Sequence, residues 1–311
     1  MRQAQAMRIV SYNIHYFSNN SKGIWSGRKP QREIADALFG LSPPADIVCL
    51  QEMERKSLRA FRTVCQEKAQ MDTFMDAWRE AFSSRGLPFP YEGYYFPAHT
   101  YRLKKVVLYT TGLAIFVHTA SLRVLNKTAQ PHVLTVTRPR HPLLHHLKQT
   151  RICAHLLLEE VRTEKKLHIY NTHLSLPSPL TKGYWLSKQK MGFGQNQILE
   201  ARRLLNYVKK TKGPTPSIVC GDFNSRPNSP VYEMLVARGG LADVRVLLNE
   251  GGEVFATAGF MRLRLHLDHI FSSGEIEWKD MAGTCGFGDL SSPFHGLSDH
   301  IPLIAQFELK V

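Results

Sequence analysis

Short runs of aliphatic and β-branched residues punctuate this chain, and most of them run straight into an acid, an amide or a histidine. The runs lie at 8–12 (RIVSY), 46–50 (DIVCL), 113–118 (LAIFVH), 152–158 (ICAHLLL), 167–171 (LHIYN), 217–220 (SIVC), 267–271 (LDHIF) and 301–307 (IPLIAQF). Several are apolar throughout and too short for helices, which predicts strands buried on both faces. Between them the period changes to that of a helix. Residues 29–40 (KPQREIADALFG) open with Pro near a first turn and stop at Gly40. Residues 54–82 space Phe61, Val64, Met71, Phe74, Met75, Trp78 and Phe82 as one helical face, and 193–210 end in the basic RRLLNYVKK. The Met and aromatic positions on these helices read as core.

Residues 119–150 fit neither period, with three prolines, four histidines and several bases. They read as a long hairpin or a surface insertion. No repeat, low-complexity tract or linker divides the chain, so 1–311 is expected to be a single domain, with 1–6 a tail.

Composition narrows the setting. The 311 residues are 43% hydrophobic, enough for a sizeable core, and the 21 glycines and 17 prolines are ordinary. The formal charge of +14 favours polyanionic partners, either nucleic acid or an anionic membrane lipid surface. Five cysteines carry no CxxC pair, which argues against a zinc or redox motif. Cys49, Cys153 and Cys220 sit inside apolar runs and Cys65 and Cys285 outside them, a pattern that fits free thiols in a reducing compartment. No apolar stretch precedes the first strand and no run is long enough to cross a bilayer. A cytoplasmic, monomeric protein is expected, and no feature identifies a protein partner.

The candidate chemistry lies at the strand ends. RIVSYN ends in Asn13, DIVCLQE in Glu52, LHIYNTHLS in Asn171 and His173, and SIVCGDFN in Asp222 and Asn224. LDHIF begins at Asp268, and LSDHIPL puts Asp299 and His300 before the last strand. Each motif alone is a good turn. Together, on strands lying side by side, they would converge on one edge. A hard divalent ion takes oxygen ligands and keeps several waters, so Glu52 is the candidate direct ligand. Asp268 is the candidate orienting acid for His300. Asn13 and Asn224 cannot titrate but can hold a phosphate oxygen or an attacking water in line.

With SYN, LQE, NTHLS, GDFNS, LDHIF and LSDHIPL in this order from residue 11 to 303, the chain resembles the endonuclease/exonuclease/phosphatase superfamily. The THL around His173 is nearer its DNase I and sphingomyelinase-like branch than exonuclease III. The resemblance implies an α/β fold of four layers, two mainly antiparallel sheets packed face to face with helices on both outer sides. It also implies phosphoester hydrolysis with Mg²⁺, for which Mn²⁺ would substitute, by in-line attack of water. Glu52 would bind the metal with Asn13 and Asp299 close by. Asp222 and Asn224 would position or activate the nucleophile and the phosphate. His300, oriented by Asp268, would contact the scissile phosphate, and His173 would support the leaving group or the phosphorus. Whether Asp222 or His300 is the base stays open, and Glu92 is the candidate acid beside His173.

Three substrate readings follow. A nuclease fits the charge and the basic clusters Lys104/Lys105, Arg138/Arg140, Lys188/Lys190, Lys209/Lys210/Lys212 and Arg262/Arg264. Arg262 and Arg264, just before LDHIF, are expected with Asn171 among the substrate-binding groups, and Tyr94, Tyr95, Tyr184 and Trp185 as base-stacking candidates. A lipid or inositol phosphate hydrolase fits the mixed PRHPLLHHL segment. An inactive phosphate-binding scaffold is the third, opposed by the intact set of polar residues.

Overall fold

Alternating side-chain direction along each strand divides the apolar residues into an inner and an outer set, and that division builds the molecule in layers. The computed structural model describes residues 6–17, 28–57, 70–103, 106–127, 130–136, 149–177, 191–248, 255–260 and 263–310. In chain order its strands are β1 (Met7–Asn13), β2 (Ile47–Ser57), β3 (Tyr91–Leu103), β4 (Val106–His118), β5 (Leu122–Lys127), β6 (His132–Val133), β7 (Ile152–Glu160) and β8 (Lys166–His173). There follow β9 (Ser217–Asp222), β10 (Ala242–Asp243), β11 (Ala258–Phe260), β12 (Leu263–Leu265), β13 (Asp268–Ser273), β14 (Ile276–Asp280) and β15 (Leu303–Leu309). The longer helices are α1 (Arg28–Phe39), α2 (Gln70–Ser83) and α3 (Gln195–Lys212).

The first sheet runs β14-β15-β1-β2-β4-β3, and the second β10-β13-β9-β8-β7-β5 with β6 also on β7. Both are mixed. The pairs β1/β2 and β8/β9 are parallel and the others antiparallel. The inner faces meet in one apolar cluster that takes Met7, Ile9, Ile47 and Cys49 from the first sheet and Ile169, Ile218, Cys220 and Ile270 from the second. Val10, Tyr12, Val48 and Leu50 point the other way and pack under α1 and α2 through Ile34, Leu38, Phe74 and Trp78. Tyr170, Val219 and Phe271 pack under α3 through Leu204, Leu205 and Val208. Helices thus flank the two sheets on both outer sides, a four-layer α+β sandwich.

Each apolar run predicted as a strand is one. The predicted helix over 54–82 is shorter: residues up to Ser57 continue β2, Gln70–Ser83 form α2, and Phe61 and Val64 lie outside the described residues. Met71, Phe74, Met75, Trp78 and Phe82 all pack in or against the outer core, as their spacing predicts. Within 119–150, Leu122–Lys127 and His132–Val133 join the second sheet as β5 and β6, and 137–148 lie outside the described residues. β3 was not predicted because Gly93 and Pro97 interrupt its run. As an edge strand paired only with β4, it tolerates them. Cys49, Cys153 and Cys220 are buried free thiols, Cys285 is half-buried and free, and Cys65 lies outside the described residues. Among the described residues no helix is long and apolar enough to cross a membrane.

Candidate functional site

The polar residues at the strand ends continue the inward-facing positions of the core. On β9 the parity that turns Ile218 and Cys220 inward also turns Asp222 inward, and on β13 the parity of Ile270 does the same for Asp268. Register then aligns them: His173 lies opposite Asp222 across β8/β9, and Asp222 opposite Asp268 across β9/β13. One row across three neighbouring strands holds a histidine and two carboxylates. Asn13, inward on β1, reaches this row from the other sheet and donates from Nδ2 to Asp222 Oδ2 at 3.0 Å.

Gly221 is what allows this row to close. It sits at φ 139°, and a Cβ there would lie 2.0 Å from the Thr172 carbonyl oxygen of β8. No other residue fits between the strands at that point. Asn224, at φ 47°, turns the chain back. Its N–H donates to Asp222 Oδ1 at 2.8 Å, and its Nδ2 donates to the Leu174 carbonyl at 3.0 Å and lies 3.2 Å from His173 Nε2.

Glu52 arrives differently. By strict alternation it would point outward, since Leu50 and Met53 both lie in the outer cluster. The β2/β4 register shifts between Leu50 and Met53, and Glu52 itself takes φ 60°. This bulge inserts one residue, so Gln51 and Glu52 both leave the outer face. A glutamate in the left-handed region is strained, and such strain collects at functional sites. Glu52 Oε1 comes within 3.9 Å of His173 Nε2.

His300 closes the opposite side. Its Nδ1 lies 2.8 Å from Asp268 Oδ2 and its Nε2 3.8 Å from Asp222 Oδ2. Burial alone would lower its pKa, but Asp268, Asp222 and Asp299 carry it up to about 10. His173, 3.4 Å from Asp222 Oδ2, is held well below the usual histidine range by burial, Arg151 and His300. Between them, burial and then Asp268 push Asp222 up to about 7. The acid that faces His173 is therefore Asp222, with Glu52 next. Glu92 stands on the edge strand β3 and hydrogen-bonds Tyr94.

Among the described residues one group of donors suits a divalent cation. Asp222, Asp268 and His300 hold ligand atoms within 4.8 Å of one another, a cluster capable of coordinating one. His300 would have to give up its proton to take part. Glu52 and Asp299 lie close enough for the charge of one to act on the other. Burial raises Glu52, and Asp299 adds to that rise against the opposing charges of His15, His300 and Arg151. Asp299 is kept low: burial opposes its ionisation, but a 3.1 Å contact with His15 Nδ1 and the charge of His300 outweigh it.

Asn171, expected to bind substrate, is wholly buried. Its Nδ2 donates to the carbonyls of Leu50 (3.0 Å) and Ala114 (3.1 Å), and its Oδ1 accepts from Gln51 Nε2 at 2.8 Å. Both amide protons bind the first sheet, so it ties the two sheets together and has no donor left for a ligand. Arg264 is exposed and lines a cleft of about 310 Å³ with Asp299 and His300. Arg262 lies outside the described residues, as do Lys104, Lys105, Arg138, Arg140, Lys188, Lys190, Tyr184 and Trp185. Tyr95 donates to the carbonyls of Met53 and Thr110, and Tyr94 lies under Lys127 Nζ, 5.3 Å from its ring.

Three groups escaped the strand-end pattern. Arg151 stands just before β7, and Cys153 opposite Thr172 brings it to the edge where β8 ends. It lines a small pocket of about 20 Å³ with Tyr16, Glu52 and His173, and its buried Nε has no hydrogen-bond partner among the described residues. His15 and Tyr16 follow Asn13 in a left-handed turn at φ 43° and 55°. Antiparallel pairing puts strand starts beside strand ends, so a search of both would have found Arg151.

Comparisons with known proteins agree with this geometry. Comparison with curated protein sequences gives no match. Among solved structures, the catalytic domain of human Nocturnin with bound sulfate is similar at 20% identity and TM-score 0.63, over 99% of this chain and 97% of that one. ANGEL2, a 2',3'-cyclic phosphatase in complex with adenosine-2',3'-vanadate, is similar at 18% identity and TM-score 0.63, over 99% and 97%. The Bacteroides thetaiotaomicron mannosyl-6-phosphatase Bt3783 is similar at 19% identity and TM-score 0.59, over 97% and 99%. At these identities the likeness is one of fold. The family description "Endonuclease/Exonuclease/phosphatase family" matches residues 10–300, nearly the whole chain, with the strand-end motifs inside it. The chain belongs to the endonuclease/exonuclease/phosphatase family.

Proposed function

We propose that the chain is a divalent-metal-dependent phosphodiesterase that cleaves nucleic acid, endonuclease-like, by in-line attack of water. The coarser part, a phosphoesterase site able to hold a divalent ion, rests on the family and on the Asp222, Asp268 and His300 cluster. The roles of the reacting groups rest on Asp222 and His300, 3.8 Å apart and of opposite bias. A carboxyl near 7 is matched to taking a proton at neutral pH, whereas an imidazolium near 10 is already occupied. Asp222 is therefore the base.

Asp222, fixed by Asn13 and the Asn224 N–H, accepts a proton from water as the water oxygen bonds to phosphorus; the bond to the leaving oxygen breaks on the opposite side, and that oxygen takes a proton from solvent. His300, its other nitrogen on Asp268, faces the phosphate as a cationic donor and stabilises the charge that grows on it. Asn224 and neutral His173 hold the phosphate from the β8 side, and Arg151 adds positive charge beside Glu52. Glu52 and Asp299, with Asn13, would hold Mg²⁺ or Mn²⁺, which would supply neutralisation of the phosphate oxygens.

The charge of +14 and the placement of Arg264 beside His300 favour a polyanionic substrate. ANGEL2, of similar fold, binds a nucleoside vanadate, which agrees with this reading. The test is cleavage of plasmid DNA and single-stranded RNA beside short-chain sphingomyelin in Mg²⁺. It is joined to the salt dependence of duplex binding by the Glu52→Gln protein. A log–log slope of about −0.9 per phosphate neutralised, flatter in Arg264→Glu, supports the proposal. Hydrolysis of the lipid with no nucleic-acid binding at low salt overturns it.

A further inference from the structure

Beside His300 the cleft of about 310 Å³ leads away from the catalytic row, and its construction differs from that of the row. Its inner end is Ser298, Asp299 and His300. Its lining includes a stacked pair: the Arg264 guanidinium lies over the Phe287 ring, 4.6 Å from the centroid. The β11/β12 hairpin places this pair. Arg264 on β12 faces Gly259 on β11, and Ala258 bridges to His300. The Gly259 N–H donates to the Asp299 carbonyl and the Ile301 N–H to the Thr257 carbonyl, each at 2.8 Å. The platform is thus set against the catalytic histidine by backbone hydrogen bonds.

Gly259 makes the platform possible. A Cβ there would lie 2.3 Å from Phe287 Cζ and 3.0 Å from an Arg264 terminal nitrogen. Any side chain would push the ring away. Phe287 itself stands between Gly286 and Gly288, which are exposed and have open space where their Cβ atoms would be. An aromatic ring on a glycine-flanked turn, left half-exposed, is shaped for a partner.

The chemistry of the cleft selects that partner. Among its described lining residues Arg264 and the protonated His300 at the inner end are the cations, and Asp289 and Asp299 offset them. A second phosphate, or an inositol carrying several, would need more cations. A lipid chain would need aliphatic walls, whereas Phe287, buried Phe294 and Ile301 are the apolar side chains here. Asp289 accepts from the Ser291 N–H and hydroxyl at 2.9 and 2.7 Å, which holds its carboxylate ionised at the rim as an acceptor. A flat surface with acceptors at its edge suits a planar ring bearing N–H donors, and the volume is at the small end for ligand clefts.

We propose that this cleft is a nucleobase subsite, in which the base next to the scissile phosphate lies against the Arg264–Phe287 pair and Gly259 reserves the space for that pair. It rests on the nucleic-acid reading and names how that substrate is gripped. Stacking on a fixed platform acts equally in the ground and transition states, so it lowers KM rather than raising kcat.

The test compares adenosine 5'-monophosphate with ribose 5-phosphate, which carries the same phosphate without the base. Binding to the full chain is measured by calorimetry, with Ca²⁺ in place of Mg²⁺ to suppress turnover. The wild-type protein should prefer the nucleotide by roughly tenfold, the effect of one stacked base. Phe287→Ala should bring that preference close to one. Phe287→Leu, which keeps an apolar contact at Gly259 but no ring face, should do the same and guards against a folding defect. Equal affinity for the two ligands in the wild type overturns the proposal, and so does a preference that survives in Phe287→Ala. Failure of the nucleic-acid reading shows separately, as absence of nucleic-acid cleavage in Mg²⁺ whatever the binding preference.

Discussion

The two ends of the polar row treat the same side chain in opposite ways. At the end of β8, His173 is buried against Asp222 with Arg151 and His300 nearby, and its imidazole is held neutral. Ahead of β15, His300 is buried as deeply, yet three carboxylates hold it protonated up to about 10. Desolvation acts alike on both and lowers both. The difference is the partner at hydrogen-bond distance: Asp268 at 2.8 Å for His300, and for His173 no acid nearer than 3.4 Å. Burial alone does not decide a histidine's charge; a close, directed carboxylate does.

Removing divalent ions with EDTA should abolish phosphodiester hydrolysis, because both ends of the row face oxygen ligands rather than thiolates. Full turnover in excess chelator would show that the metal assignment is mistaken. Next in size, Asp222→Asn and His300→Ala should each lower kcat by about 10²-fold or more while leaving a folded protein, checked by circular dichroism. Near-wild-type turnover in either would break the assignment of Asp222 as base and His300 as cationic donor.

Asp268→Asn keeps the shape of the His300 partner and removes its charge. Its expected loss is smaller, roughly tenfold at neutral pH. The alkaline limb of its pH–rate profile should move to lower pH than the wild-type limb near 10. An unmoved limb would separate His300 from Asp268.

The comparison also reads out in stability of the metal-free protein. His300 has a folded pKa raised above its unfolded value, so its contribution is complete below pH 6.5 and is lost as pH rises through about 10. His173 is lowered, so the unfolded chain takes up the proton first and stability falls as pH drops below 6.5. Asp222, raised to about 7 from 3.8, works against that acid loss, because its folded form holds a proton the unfolded chain has released. Urea midpoints against pH should flatten above pH 8 in His300→Gln and below pH 6 in His173→Gln. The reverse pattern would mean that the two ends are exchanged.

The smallest effect on catalysis is expected at Asn171, one turn of the pleat from His173. Asn171→Leu removes one acceptor of the Gln51 amide, which keeps Cys49 and Ser11, and the side-chain donor to the Leu50 and Ala114 carbonyls. It should cost about 1–3 kcal/mol for each group left unsatisfied, with kcat per folded molecule close to wild type. A large fall in kcat without loss of stability would return Asn171 to the substrate.

Chain order and residue type suffice for a good deal of this. The apolar runs show where the buried strands are, because a strand covered on both faces has no room for polar residues. The motifs at their ends, from SYN to LSDHIPL, announce the family and most of the polar row, since parity carries inward-facing positions such as Asp222 and Asp268 on from the core. Other features depend on registers and distances that no run of residues encodes. Glu52 turns inward through a bulge, Asn171 is spent between the sheets, and Arg151 reaches the row from the start of a strand. The different protonation of His173 and His300 depends on which charges surround each, Arg151 and His300 for the one and Asp268, Asp222 and Asp299 for the other, and that arrangement exists only once two sheets and the segment before β15 have packed together.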